Sequence, residues 1–270
     1  MVWPRMARGG QAIRSLMASS GARWWKDKNT LMKRKMSSLE EGESVEQVFG
    51  KDFKPFGDVL VHPNENGENC FITYLPKFMQ PRAATELFEH LRDNVEWRRE
   101  EDSVGVQERL TAYFGDPHCT FAYVGLRLTP QPWTGSLLPI KNHVNSFFTS
   151  HGLPPLTACL LNNYEQGAGR IVWHHDEVRA HGSCPLVVSI TLSPDGNRLF
   201  EFRHVASKRQ VSLPVLHGSA VVMAGRTQLH WQHRLPCTPS PHRISLTFRS
   251  IVPGYEEGLL GSLKGMDDCQ

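Results

Sequence analysis

Two histidines, an aspartate and a glutamate stand consecutively in IVWHHDEV, residues 171–178. In an extended chain, successive side chains point to opposite faces. His174 and Asp176 then share one face, and His175 and Glu177 share the other. An imidazole and a carboxylate so placed can meet one metal ion. A further histidine would complete a facial triad of two His and one carboxylate, the donor set of non-haem Fe(II) sites that keep coordination positions open. Taken alone, His-x-Asp is most often a pair of surface residues or loop hydrogen bonders. LHWQHRLP (229–236) supplies the missing donor, with His230 and His233 as candidates.

A second set of residues suits an anion. RISLTFR (243–249) alternates, with Arg243, Ser245, Thr247 and Arg249 on one face and Ile244, Leu246 and Phe248 on the other. Two arginines turned into a mainly apolar interior need anionic partners, because unpaired buried charge is costly. A dicarboxylate fits, since guanidinium binds carboxylate in a bidentate fork; structural salt bridges or a solvated face are the plainer alternatives. Upstream, LLNNY (160–164) sends Asn162 and Tyr164 to one face, adding an amide and a phenol.

These residues need a rigid frame, and the sequence predicts one. After residue 155, TACLLNNY, PLVVSITL, RLFEFRH, GSAVVMA and RISLTFRSI are short β-rich segments separated by Gly, Pro, Ser and Asp. Strands at such spacing indicate a sandwich or jelly roll. Before them, order is expected to begin at CFITYL (70–75). PRAATELFEHLRDNV (81–95) reads as a helix with Pro81 near its start and Leu87, Leu91 and Val95 on one face. RLTAYFG (109–115) and FAYVGLRL (121–128) read as strands around a Gly115–Asp116–Pro117 turn. GSLLPIKNHVNSFFTS (135–150) reads as a second helix. The fold class is therefore mainly β with flanking helices.

The 270 residues suffice for one domain plus tails. No apolar run approaches the roughly 18 residues of a membrane span, so no membrane association is expected. Six cysteines without a C-x-x-C predict free thiols in a reducing, intracellular compartment. Residues 1–36 carry nine Lys/Arg against one acid, Asp27, whereas the rest carries 21 basic and 26 acidic residues, net −5. The basic, Ser- and Ala-containing segment 1–36 suits a mitochondrial transit peptide, a disordered arm that touches nucleic acid, or a nuclear signal around Lys33–Lys35. Residues 37–69 are expected to be a linker, 70–252 the domain, and 253–270 a mobile end.

The ordered set Asn162-Asn163-Tyr164, His174-His175-Asp176, Trp231-Gln232-His233 and Arg243 to Arg249 resembles the AlkB family of Fe(II)/2-oxoglutarate dioxygenases. The likeness extends to RLTAYFGD (109–116), PLVVSITL, RLFEFRH and HGSAVVM (217–223), covers about residues 70–252, and is greatest to the eukaryotic nucleic-acid repair branch. It implies a double-stranded β-helix (jelly-roll) core, with Fe(II) as metal, 2-oxoglutarate as co-substrate and O2 as oxidant; separately, a monomer is expected. By resemblance, His174, Asp176 and His233 match the iron ligands, His233 being favoured over His230 because the third ligand follows the aromatic-x step. Arg243 and Tyr164 match the grip on the distal carboxylate of 2-oxoglutarate; Arg249 and Asn162 match residues nearer the chelating end. Ser245 stands where the family usually has Asn. Tyr123 matches a residue that stacks on a flipped base, and Arg198 an arginine near the substrate. The implied reaction is oxidative demethylation of N-alkylated bases in DNA or RNA, of the 1-methyladenine or 3-methylcytosine type, releasing formaldehyde, succinate and CO2. Such a base is flipped from a duplex or taken from a single strand.

The sequence also departs from the family. Val178 stands where the repair branch has a carboxylate near the base, and Glu177 is the acid shifted by one. The segment 97–109, where an apolar finger is expected, is charged, with only Val104 and Val106 as small wedges. Competing readings are the same chemistry on a protein or other substrate, and a catalytically silent β-fold protein that binds nucleic acid.

Overall fold

The computed structural model describes residues 58–61, 70–103, 105–123, 126–149, 153–165, 169–182, 185–236 and 241–252. The basic segment 1–36 and the expected tail 253–270 lie outside them. In chain order the elements are β1 (Asp58–Val61), β2 (Cys70–Leu75), α1 (Pro81–Asn94), β3 (Glu101–Asp102), β4 (Gly105–Val106), β5 (Leu110–Gly115), β6 (Phe121–Tyr123), β7 (Leu126–Leu128), α2 (Leu137–Thr149), β8 (Ala158–Tyr164), β9 (Ile171–His174), α3 (Val178–His181), β10 (Val187–Leu192), β11 (Arg198–His204), β12 (Gln210–Val215), β13 (Ser219–Gly225), α4 (Thr227–His230), β14 (Trp231–Leu235) and β15 (Arg243–Arg249).

Two antiparallel sheets face each other. The larger runs β1-β2-β13-β10-β15-β8-β5 and the smaller β12-β11-β14-β9. The non-sequential order is that of a jelly roll, in which strands adjacent in the chain change sheet.

The large sheet is covered on both sides, and this explains why β8, β10, β13 and β15 are buried at every position. On one side α1 and α2 lay Leu87, Phe88, Leu91, Leu137 and Val144 against Ile190, Val222, Ile244, Leu246 and Phe248. Each such side chain contributes roughly 1.5–3 kcal/mol by leaving water. α1 forms with Pro81 in its first turn, where proline's missing N–H costs nothing. On the other side, Ile72, Val187, Val221 and Met223 meet Phe200, Phe202, Leu213 and Trp231 of the small sheet.

Two expectations change. Order includes β1, inside the segment 37–69 taken as a linker, which pairs antiparallel with β2. FAYVGLRL is not one strand paired to RLTAYFG. β6 and β7 form their own hairpin, while β5 pairs with β8. Tyr113 of β5 donates its hydroxyl to the Cys119 carbonyl at 2.6 Å, fixing the intervening turn.

Candidate active site

β9 and β14 bring His174 and His233 directly opposite one another. Their ring centroids lie 4.1 Å apart. Asp176 follows β9 in the loop before α3. Its Oδ1 stands 4.0 Å from Nε2 of each histidine. Donor atoms of these three residues all lie within 4.8 Å of one another, the group among the described residues able to hold a metal ion. His174 Nδ1 lies 2.9 Å from the Val172 carbonyl. A carbonyl only accepts, so Nδ1 carries the proton and Nε2 keeps its lone pair for a metal. Burial pushes the pKa of both histidines down, favouring neutral imidazole. Asp176 is held far below the usual carboxylate range against its own burial, chiefly by the Arg249 guanidinium. Arg249 Nε and Nη2 reach Asp176 Oδ2 and Oδ1 at 3.0 and 3.1 Å. Two neutral imidazoles and one ionised carboxylate fit Fe(II). His230 stacks on His204 at 6.3 Å instead, and the group that could hold a metal takes His233.

The triad opens into a cavity of about 920 Å³ between the sheets. Its floor is the inward face of β8 and β15, where register sets Tyr164 opposite Arg243 and Asn162 opposite Ser245. Arg243 is 3 % exposed. Its Nη2 donates to Thr191 Oγ1 at 3.0 Å, and its Nε has no hydrogen-bond partner among the described residues. Burial lowers its pKa to about 10, which leaves it a cation at neutral pH. No carboxylate among the described residues pairs with it. A buried guanidinium with an unpartnered Nε and no carboxylate beside it, facing a cavity, calls for an anion, and the distal carboxylate of 2-oxoglutarate has the right charge and fork.

Residues 71–249 match the sequence profile of the 2OG-Fe(II) oxygenase superfamily. The chain belongs to that superfamily. Its members use Fe(II), 2-oxoglutarate and O2. Within it, the chain is similar to alpha-ketoglutarate-dependent dioxygenase alkB homolog 3 of Bos taurus, with 31% identity over 193 residues, 66% of this chain and 65% of that protein. It thus spans about 65% of that relative's length. It is also similar to DNA oxidative demethylase ALKBH2 of Homo sapiens, with 28% identity over 213 residues, 71% of this chain and 76% of that protein. Among solved structures, OsALKBH1 aligns at 17% identity and TM-score 0.47, covering 66% of this chain and 97% of that one. A Pseudomonas putida prolyl-4-hydroxylase aligns at 15% and 0.45, covering 67% and 92%.

In this 2OG-Fe(II) oxygenase the residues expected near the substrate separate. Glu177 lines the cavity mouth but caps α3, accepting from the Arg179 backbone N–H and, at 2.9 and 3.2 Å, from its guanidinium. Val178 lines the same mouth. Tyr123 ends β6, and its side chain lies outside the described residues. Of the two small wedges, Val104 lies outside them too, while Val106 is 62 % exposed on the β3–β4 hairpin. Arg198, expected near the substrate, is not among the residues that line the cavity. It is 2 % exposed, donates to the carbonyls of Gly169 and Pro236 at 2.6 and 3.3 Å, and lies 5.0 Å over the Tyr164 ring. Its work is to hold Tyr164 and the loop ahead of β9. Gly169 in that loop sits at φ +82°, and a Cβ there would stand 2.8 Å from Tyr164 Cδ1, so only glycine fits.

Several site residues were not singled out from sequence. Gln228 of α4 accepts the Asp176 backbone N–H at 2.9 Å and so orients a metal donor. Nothing local in TQLH signals this. Thr191 steadies Arg243. Arg109 lines the cavity and donates Nε to Asn162 Oδ1 at 2.7 Å. Alternation in β5 could have found it, because Thr111 sits opposite Asn162 and Arg109 lies two residues before it on the same face.

Proposed function

We propose that this oxygenase oxidatively demethylates N-alkylated bases in nucleic acid. The observation that carries the reading is one cavity holding both the His174–Asp176–His233 group and the anion-seeking Arg243. Similarity to proteins named DNA oxidative demethylase and alkB homolog 3 supports the nucleic-acid substrate.

When bound, Fe(II) with 2-oxoglutarate and O2 would supply the oxidant that hydroxylates a substrate C–H bond. The chain's own residues do the rest. His174, Asp176 and His233 would hold the metal by three donors, a set that leaves other coordination positions open. Gln228 and Arg249 keep Asp176 oriented and ionised. Arg243 and Tyr164 take the distal carboxylate of 2-oxoglutarate, with Asn162 and Ser245 beside it; the apolar wall, including Phe200, Met223 and Leu235, limits water around the reacting carbon. The N-methyl group takes one oxygen atom of O2 and becomes N-hydroxymethyl, whose C–N bond breaks to give formaldehyde and the N–H base, while 2-oxoglutarate takes the other and leaves as succinate and CO2.

The test is formaldehyde and succinate release, in equal amounts, from oligonucleotides carrying methylated bases, among them 1-methyladenine and 3-methylcytosine. Turnover of 2-oxoglutarate that no methylated oligonucleotide stimulates favours another substrate. Lack of any iron-dependent turnover favours a silent binding protein. The basic segment 1–36 is read as an address for the mitochondrion or nucleus, and localisation of a fluorescent fusion with and without it tests that.

A further inference from the structure

Charge at the cavity mouth speaks to the kind of base admitted. Four carboxylates line the cavity: Asp102, Glu108, Asp176 and Glu177. Asp176 belongs to the metal group. Glu177 is forked by Arg179, and Glu108 lies 3.4 Å from Arg170. Asp102 accepts from Gln107 Nε2 at 2.9 Å and from the Gly105 backbone N–H at 3.3 Å, within its own hairpin. Each carboxylate thus already has a donor.

Arg109 is the opposite case. Its Nε is fixed by the buried Asn162. Neither Nη joins a hydrogen bond or ion pair among the described residues, and Arg109 lines the cavity beside the metal group. A methylated adenine N1 or cytosine N3 would bring a second cation toward this guanidinium. A uracil methylated at N3 or a guanine methylated at N1 is uncharged and carries a keto oxygen beside the methylated nitrogen, an acceptor for a guanidinium N–H.

We propose that Arg109 is a specificity-determining residue that selects uncharged, keto-bearing N-methyl bases over cationic ones; this rests on the nucleic-acid reading above. The chemistry agrees. When the hydroxymethyl adduct of a neutral base collapses, the hydroxyl proton is lost, the C–N electron pair stays with the ring nitrogen, and the base departs as an anion before that nitrogen is protonated. The negative charge spreads onto the keto oxygens, where Arg109 stabilises it. A cationic base departs neutral, so no negative charge develops there, even on 3-methylcytosine, which also carries a keto oxygen beside its methylated nitrogen.

The experiment uses the full chain with Fe(II) and 2-oxoglutarate and single-stranded oligonucleotides carrying 3-methyluracil, 1-methylguanine, 3-methylcytosine or 1-methyladenine. Formaldehyde release should favour the two neutral bases by roughly tenfold in kcat/KM, the size expected for one charged hydrogen bond. Arg109→Gln should lower the neutral rates by roughly tenfold while the cationic rates hold or rise. Fluorescence anisotropy of the metal-free protein should rank the four oligonucleotides in the same order. A wild-type preference for the cationic bases, or an equal loss on all four in Arg109→Gln, overturns the inference and leaves the demethylase reading standing. Release from none of the four overturns that reading, and this inference with it.

Discussion

At the cavity floor, Arg249 forks Asp176 at 3.0 and 3.1 Å, with side chains 10 % and 5 % exposed. At the mouth, Arg179 forks Glu177 at 2.9 and 3.2 Å, with side chains 46 % and 29 % exposed. The hydrogen bonds are alike and the surroundings are not. A buried pair that loses one partner strands a desolvated charge, at a cost of roughly 3–5 kcal/mol. An exposed pair is worth about 0–1 kcal/mol, because water replaces the lost partner. The floor pair therefore defines the site, while the mouth pair can be altered without disturbing the fold.

The widest gap between the two should appear on truncating each acid. Asp176→Ala removes a metal donor and strands Arg249. Iron binding and turnover should both be lost, and urea unfolding of the metal-free protein should show a loss of about 3–5 kcal/mol. Glu177→Ala should change unfolding by less than about 1 kcal/mol and retain iron. Equal losses of stability would break the distinction. Next in size is Arg243→Ala, which empties the other end of the floor. The apparent KM for 2-oxoglutarate should rise by roughly 30-fold or more, as for truncation of a buried charged partner, and an unchanged KM would remove Arg243 from the co-substrate site.

The floor was also the part legible in the sequence, for a physical reason. β8 and β15 are regular strands, so a period of two in LLNNY and RISLTFR carries directly into space: Asn162 and Tyr164 stand opposite Ser245 and Arg243. The triad needed one step more, because Asp176 lies past the end of β9 in a loop. Strand alternation put it on the His174 face, but Gln228, 52 residues away, holds it there, and no local pattern shows that bond. Arg198 shows the limit differently. An arginine on a strand bordering the site reads as a substrate contact. Here it turns instead to the carbonyls of Gly169 and Pro236 and to the Tyr164 ring, none of which lies near it in sequence. FAYVGLRL failed as one strand because its continuous apolar texture says nothing of where the chain folds back, and β1 escaped notice because its four residues, DVLV, are too short to show a period.

A smaller effect concerns pH. His181, at the end of α3, is 5 % exposed, with Nδ1 donating to the Ser250 carbonyl at 3.1 Å and Nε2 without a hydrogen-bond partner among the described residues. Burial, then the Arg249 charge, lowers its pKa to about 4. The folded pKa is below the unfolded value of about 6.5, so the unfolded chain binds the proton first. Stability is full above about pH 6.5 and falls as pH drops toward 4. His181→Phe should flatten that fall, seen as a smaller difference in unfolding midpoint between pH 7 and pH 4.5. A slope identical to wild type would mean that the buried ring does not stay neutral.

The smallest expected effect bears most directly on the mouth. Arg179→Ala frees the Glu177 carboxylate, while Glu177 still caps α3 through the residue 179 backbone N–H. Unfolding should shift by less than about 1 kcal/mol, because the lost pair is exposed and screened. Activity is the sharper readout. An unforked Glu177 presents a carboxylate at the cavity wall, which attracts a cationic base and does nothing for a neutral one. Relative kcat/KM should therefore move by a few-fold toward 3-methylcytosine and away from 3-methyluracil, the same direction as Arg109→Gln but weaker, since Glu177 competes with water. Salt should erode this shift and leave the Arg243 effect intact, because screening reaches exposed charges and spares buried ones. If Arg179→Ala instead raised the KM for 2-oxoglutarate as Arg243→Ala does, floor and mouth would be one coupled network, and the contrast between their two forked pairs would not hold.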